Sequence, residues 1–214
     1  MTADQRKRRD LDIVAGLIAP HSRVLDLGCG DGGFLRQLQD EKHIHGLGVE
    51  IDQQMVGRCI ANGIHVIQRD LDSDLDFAEN GSFDFVILSQ TIQEVRRPDQ
   101  LLREIVRVGK RAVVSIINFG HLPCRLSLLV SGRMPENEAI PYHWYDTPNI
   151  HLGTLFDFRR LCHKLGISIT TEIPVGSPLK CLPRLLPNLL APSCVFELEK
   201  RHKTGATTAD GDTV

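Results

Sequence analysis

Apolar and polar positions along the chain switch between a period of two and a period near 3.6. Leu11, Val14, Leu17 and Ile18 recur at helical spacing, and Pro20 stops that helix. Arg23–Leu27 is a short apolar run that reads as a strand. Gly28–Gly33 is a glycine turn, after which Phe34, Leu35 and Leu38 begin a second helical face. His45–Ile51 predicts a second strand. Met55, Val56 and Ile60 predict a short helix that Asn62-Gly63 ends. His65–Gln68 is a third strand, and the acidic stretch Leu71–Glu79 is irregular. An Asn80-Gly81 turn introduces a fourth strand, Phe83–Ser89. Pro98 opens a helix carrying Leu101, Leu102, Ile105 and Val106, with Gly109 as its expected cap. Ala112–Ile117 is apolar on both faces, as central parallel strands are. Residues 119–153 break the rhythm. Thr154 with Asp157 marks the start of a helix over 155–165, ended by Gly166. Ile167–Val175 and Cys194–Leu198 predict two last strands with a Pro- and Leu-rich loop between them.

Five strand–helix repeats demand a parallel sheet with helices on both faces. Two closing strands without a helix between them predict an antiparallel addition at one edge. No repeat or linker divides the chain. Its 214 residues suit one domain, expected over 1–202, with the small polar residues 203–214 as a flexible tail. Lys and Arg number 25 against 27 Asp and Glu, so no electrostatic attraction to nucleic acid or to an anionic membrane is implied. The basic run Arg6-Lys7-Arg8-Arg9 is flanked by Asp4, Asp10 and Asp12 and reads as a solvated face. No apolar run of about 18 residues exists, and the charged start lacks a signal-type apolar stretch, so a cytoplasmic location is expected. Cysteines stand at 29, 59, 124, 162, 181 and 194 with no C-x-x-C pair, which reads as reduced thiols packed as small hydrophobes. His121, His143 and His151 lack metal-ligand spacing.

The candidate chemistry sits at the glycine turn, Val24-Leu25-Asp26-Leu27-Gly28-Cys29-Gly30-Asp31-Gly32-Gly33. A strand runs into glycines and then into a helix, the context in which backbone N–H groups meet an anionic ligand group. Gly28, Gly30 and Gly33 match a dinucleotide fingerprint. Asp26 and Asp31, however, would repel a pyrophosphate. Beside an ammonium or sulfonium they are favourable, so the charge pattern favours S-adenosylmethionine over NAD. Glu50 ends the second strand about 20 residues on, where an acid accepts ribose hydroxyls. Asp52 reads as the N-cap of the next helix. Asp70 ends the third strand and suits an adenine amino group, with Leu71 as an apolar wall.

The first motif, with Glu50 and Asp70 at the next two strand ends, resembles the class I S-adenosylmethionine-dependent methyltransferases. That resemblance implies an α/β, Rossmann-like, seven-stranded sheet of order 3-2-1-4-5-7-6 with strand 7 antiparallel. It also implies a cofactor pocket lined by Asp26, Gly28, Cys29, Gly30, Glu50, Ile51, Asp70, Leu71 and Ser89. Ser89-Gln90-Thr91-Ile92-Gln93 and Tyr142-His143-Trp144-Tyr145-Asp146-Thr147-Pro148-Asn149-Ile150-His151 are more distinctive. From Leu11 to about Val175 the chain is similar to the methionine biosynthesis protein MetW family. The resemblance implies a partner that supports homoserine O-acyltransferase (acetyl- or succinyltransferase). The other reading is an active methyltransferase on a small molecule.

After the fourth strand the chain has no proline pair and no aromatic to sandwich a base, which disfavours methylation of nucleic-acid bases. Glu94 suits a base or, more simply, a solvated acid. Residues 119–153 follow the fifth strand and should cover the pocket mouth. Three readings stand for them: a lid with a His base, a docking surface anchored by Trp144 and Tyr145, or core filling by those two rings.

Overall fold

The elements, in a computed structural model, run α1 (Ala3–Leu17), β1 (Arg23–Leu27), α2 (Gly33–Lys42), β2 (His45–Glu50), α3 (Gln53–Ala61), β3 (His65–Gln68) and β4 (Phe83–Ser89). They continue with α4 (Pro98–Val108), β5 (Gly109–Ile117), α5 (Leu122–Leu126), a wide π-type turn (Ser127–Ser131), α6 (Leu155–Leu165), β6 (Ile167–Val175), α7 (Pro187–Leu190) and β7 (Ser193–Lys200). The structure describes residues 3–137, 139–176 and 186–201, with side chains from Arg9 onward. The expected tail 203–214, Cys181 and the side chains of Arg6, Lys7 and Arg8 lie outside the described residues.

The seven strands form one sheet of order β3-β2-β1-β4-β5-β7-β6. β7 is antiparallel to both of its neighbours, and the other pairings are parallel. The strand period of two sorts the core. Leu25, Leu27, Val86, Leu88, Val114 and Ile116 pack under α4 and α6. Val24, Phe85, Ile87 and Val113 pack on the other face, under α1 and α2. Register then aligns the strand ends: Asp26 lies opposite Gly48 and Ile87, and Glu50 opposite Gln68. The sheet order reverses between β1 and β4, so their carboxyl ends open a crevice.

Two predicted caps are present. Asp52 Oδ1 accepts from the N–H groups of Gln54 and Met55 at 2.7 and 3.2 Å. Thr154 and Asp157 form a reciprocal capping box at the start of α6.

Two expectations need correction. β2 stops at Glu50, leaving Ile51 outside the strand. The last two strands were expected to have no helix between them, but α7 lies there; like α5 and the π-type turn it is too short to show a readable period. Gly109 caps α4 as expected, its N–H donating to the Ile105 carbonyl, and it is also the first residue of β5, in extended conformation (φ −101°, ψ 145°), so α4 enters β5 without a loop. Close approach requires glycine there. A Cβ would lie 2.6 Å from Val86 Cγ2 and 3.0 Å from the carbonyl oxygens of Ile105 and Arg111. Gly109→Ala is expected to destabilise the fold by about 1–3 kcal/mol in a denaturant titration. Combined with Val86→Ala, the loss should be smaller than the sum of the two single losses. Strict additivity would show that the clash is not what matters.

Candidate cofactor cleft and the face beside it

The glycine turn is strapped to β2. The N–H groups of Gly28 and Cys29 donate to the Val49 carbonyl at 2.8 and 3.1 Å. Gly28 is left-handed (φ 76°) and touches the β4 turn, since a Cβ on it would lie 2.9 Å from Thr91 Oγ1. Glu50 holds the same turn from the side. Its Oε2 accepts from Gly30 N–H at 2.9 Å, and its Oε1 accepts from Ile51 and Asp52 at 2.9 and 3.0 Å. A carboxylate has about four acceptor sites, so one remains for a ligand.

Asp26 is the most perturbed acid of the cleft. It is 5% exposed. Burial, and then the charge of Glu50, raise its pKa from 3.8 to about 7, and no hydrogen bond lowers it again. A buried acid facing a second carboxylate favours a cationic neighbour.

The other predicted residues stand in the glycine turn, at the end of β4, or in the loops after β2 and β3. The side chain of Ile51 is exposed next to Glu50. Asp70 Oδ1 accepts from Asp72 N–H at 2.9 Å, making a tight turn that ends in Leu71 and Asp72. Ser89 Oγ lies 3.2 Å from Ser115 Oγ on β5. Cys29 turns its thiol away beneath the turn, 3.7 Å from Cys59 Sγ, while Cys59 donates to the Gly30 carbonyl at 3.1 Å. Burial pushes the Cys29 thiol far up, so what Cys29 offers the cleft is its backbone. Glu94 is exposed, in keeping with a solvated acid.

Sequence reasoning missed the residues that hold the crevice together from a distance. Gln90 adopts a left-handed backbone (φ 52°), unusual without glycine. Its N–H donates to Ser115 Oγ at 3.0 Å, and its Nε2 donates to Asp10 Oδ2 at 2.6 Å. Ser193 Oγ donates to Asp10 Oδ1 at 3.3 Å. Asp10 is fully buried, which corrects its placement on a solvated face. No local signal marks this pairing, because its members stand 80 residues apart. Asp72 was missed too. It accepts from the N–H groups of Arg96 and Arg97 at 2.8 and 3.2 Å and so ties the β3–β4 loop to the start of α4.

Segment 119–153 packs Phe119 against a small buried cluster but does not fill the core with Trp144 and Tyr145. Trp144 and Tyr145 are 71% and 69% exposed, packed edge to face with centroids 5.7 Å apart. Leu129 and Val130 in the π-type turn are 82% and 80% exposed, with Leu126 and Leu128 exposed beside them. His143 pairs with Glu136 at 3.0 Å in the open, and that carboxylate raises its pKa. Exposed apolar groups are thus concentrated on this segment. Among the described residues no three His, Cys, Asp or Glu cluster as a metal site, and no helix is long and apolar enough to cross a membrane.

Comparison with known proteins agrees with this layout. A S-adenosylmethionine-dependent methyltransferase from Thermotoga maritima superposes with a TM-score of 0.66 at 20% identity, covering 91% of this chain and 89% of its own. The [4+2]-cyclase SpnF superposes with a TM-score of 0.64 at 16% identity, covering 90% and 81%. Those likenesses show the fold. The bifunctional methionine biosynthesis protein MetXA/MetW of Rhodopirellula baltica is 32% identical over 205 residues, 91% of this chain. The chain spans about one third of that relative's length, 33%. The family model for methionine biosynthesis protein MetW matches residues 8–198. On this match, and on a class I S-adenosylmethionine-dependent methyltransferase fold, the chain belongs to the MetW family of methionine biosynthesis proteins.

Proposed function

We propose that this protein is an S-adenosylmethionine-binding accessory partner of homoserine O-acyltransferase. The observation that carries the partner role is the exposure of large apolar side chains in segment 119–153, Leu129, Val130 and Trp144 among them. The relative from Rhodopirellula baltica, named for both MetXA and MetW, supports the choice of partner. Two functions joined in one chain meet at high effective concentration, and separate chains need a docking surface to meet at all.

The cleft residues fit the proposed cofactor. Asp26 and its neighbour Glu50 call for a cation, and S-adenosylmethionine carries both an ammonium and a sulfonium. Asp26 would hold the ammonium, and the first turn of α2 would receive the carboxylate, since the N–H groups of Gly28, Cys29 and Gly30 are already given to Val49 and Glu50. The remaining acceptor site on Glu50 would take a ribose hydroxyl. Ile51 and Leu71 would wall the adenine, with Asp70 at its amino group and Ser89 at the β4 end. When bound, the cofactor supplies an activated methyl group. In the accessory role it supplies a signal instead: it is the downstream product of the pathway, and its binding is linked to the affinity for the acyltransferase.

The test is homoserine acylation by the cognate acyltransferase, alone and with an equal amount of this protein. A clear rise in rate is expected. An acyltransferase fully active alone and unchanged by addition would overturn the accessory role. The shared methyltransferase fold favours a second reading, methyl transfer to a small molecule. It requires turnover of labelled cofactor that disappears in Asp26→Ala.

A further inference from the structure

The turn that follows β4 touches both the cleft and the exposed segment. On one side Thr91 packs on the glycine turn: its Oγ1 and Cγ2 would lie 2.9 and 3.0 Å from a Cβ on Gly28. On the other side the Gln93 carbonyl accepts from the N–H groups of Ile150 and His151 at 2.9 and 3.0 Å. Those two residues belong to segment 119–153, which exposes Leu129, Val130 and Trp144.

Between these contacts the turn is braced. Gln90 N–H donates to the Ser115 carbonyl and to its Oγ at 3.1 and 3.0 Å. Thr91 Oγ1 donates to the Ser89 carbonyl at 3.0 Å, and Gln93 Nε2 donates to the Gln90 carbonyl at 3.1 Å. Glu94 N–H donates to the Thr91 carbonyl at 2.9 Å, and Gln93 is buried. A short unit tied at so many points moves as a body, so a displacement at Thr91 is felt at the Gln93 carbonyl two residues on. Gln90 is also strained. Its left-handed backbone (φ 52°) is costly for a residue with a Cβ and persists where the surroundings impose it. The buried Asp10 of α1 is one such support, accepting from Gln90 Nε2 at 2.6 Å. Strain held by distant partners is a mark of segments that switch between two arrangements.

We infer that the turn Gln90–Glu94 couples the cofactor cleft to the exposed segment. Occupancy of the cleft fixes the glycine turn, Thr91 and the braced turn transmit that restraint to Gln93, and the Ile150 and His151 amides then open less often. The inference rests on the cofactor reading above and names the route by which occupancy reaches the docking segment. Coupling between sites is reciprocal, so a partner that clamps the segment tightens the cleft by the same factor.

Hydrogen exchange of the whole protein, with and without saturating S-adenosylmethionine, reads the link amide by amide, and calorimetry on the same sample measures binding. Exchange at Ile150 and His151 is expected to slow by about tenfold, a usual size for coupling between sites. Ile140 stands in the same segment, but its N–H donates to the Asn137 carbonyl at 3.0 Å. It should show only the general slowing that any ligand gives by stabilising the folded state. Thr91→Ala removes the two atoms that lie nearest Gly28. The variant should bind the cofactor as the wild type does, and the selective slowing should vanish. Thermal unfolding checks that it is folded, and the comparison of amides within the wild type decides without it. Absence of binding by calorimetry overturns the cofactor reading and this inference together. Binding with unchanged exchange at Ile150 and His151, equal slowing at Ile140, or selective slowing that survives Thr91→Ala overturns the inference and leaves the cofactor reading standing.

Discussion

Asp26→Asn is expected to make the protein more stable at neutral pH while weakening its binding of S-adenosylmethionine. The carboxyl titrates near 7 in the folded chain, against 3.8 for an ordinary Asp. Between those values the folded state keeps a proton that the unfolded state releases. The contribution of Asp26 is therefore fully present below about pH 4 and is lost as pH rises through about 7. Asparagine removes the dependence. The stability gap between variant and wild type should open from about pH 4, widen to about pH 7 and then stay level at about 2–4 kcal/mol. At this chain length that is roughly 5–15 °C in melting temperature at pH 8. Binding runs the other way. Loss of a charge-assisted contact to the ammonium should weaken S-adenosylmethionine by about 10- to 100-fold. Wild-type affinity should rise with pH through 7 as Asp26 sheds its proton, and the variant should show no such rise. Calorimetry at pH 6 and pH 8 reads both effects. A variant that loses stability, or that binds as the wild type does, would sink the assignment of Asp26 as the cation site. A residue strained for its ligand and costly to the fold is a common pattern at binding sites.

The second large effect concerns the exposed face. Leu129→Asp together with Val130→Asp is expected to abolish stimulation of the acyltransferase at micromolar concentrations. Trp144→Ala should weaken the complex about 30-fold, in the range of an aromatic anchor. Stability should move by less than about 0.5 kcal/mol, because these side chains are already in solvent. S-adenosylmethionine binding should not change, since the variants leave Asp26 and Glu50 untouched. The paired readout separates a docking defect from a folding defect. Full stimulation by the Asp pair would move the docking surface elsewhere on the molecule.

Much of the architecture was legible because its causes are local. The period of two in Val24–Leu27 and Phe85–Leu88, and the helical spacing of Leu101, Leu102 and Ile105, follow from which faces each element must bury. Thr154 and Asp157 announced a helix start because a capping box spans four residues. Gly109 caps α4 as expected, but its extended conformation was not legible, for the converse reason. A glycine after a helix usually takes a left-handed cap, but here Val86, 23 positions away in sequence, leaves no room for a Cβ.

The site divides along the same line. Asp26, Gly28, Gly30 and Glu50 could be read from the chain, because a strand–turn–helix unit places its own turn, and the end of the following parallel strand lies beside it. Their charges already argued for a cationic ligand. Burial was not legible: the same Asp26 in water would titrate as any carboxylate, and only the packing of β1 between β2 and β4 lifts it to about 7. Nor could pattern reveal that Trp144 and Tyr145 stand outside the core, that Asp10 reaches Gln90, or that the buried Asn149 keeps an unpaired oxygen. Periodicity and turn chemistry depend on neighbours within a few residues. Exposure, desolvation and hydrogen-bond satisfaction depend on what distant segments bring to the same place, and they come into being only when the chain closes on itself.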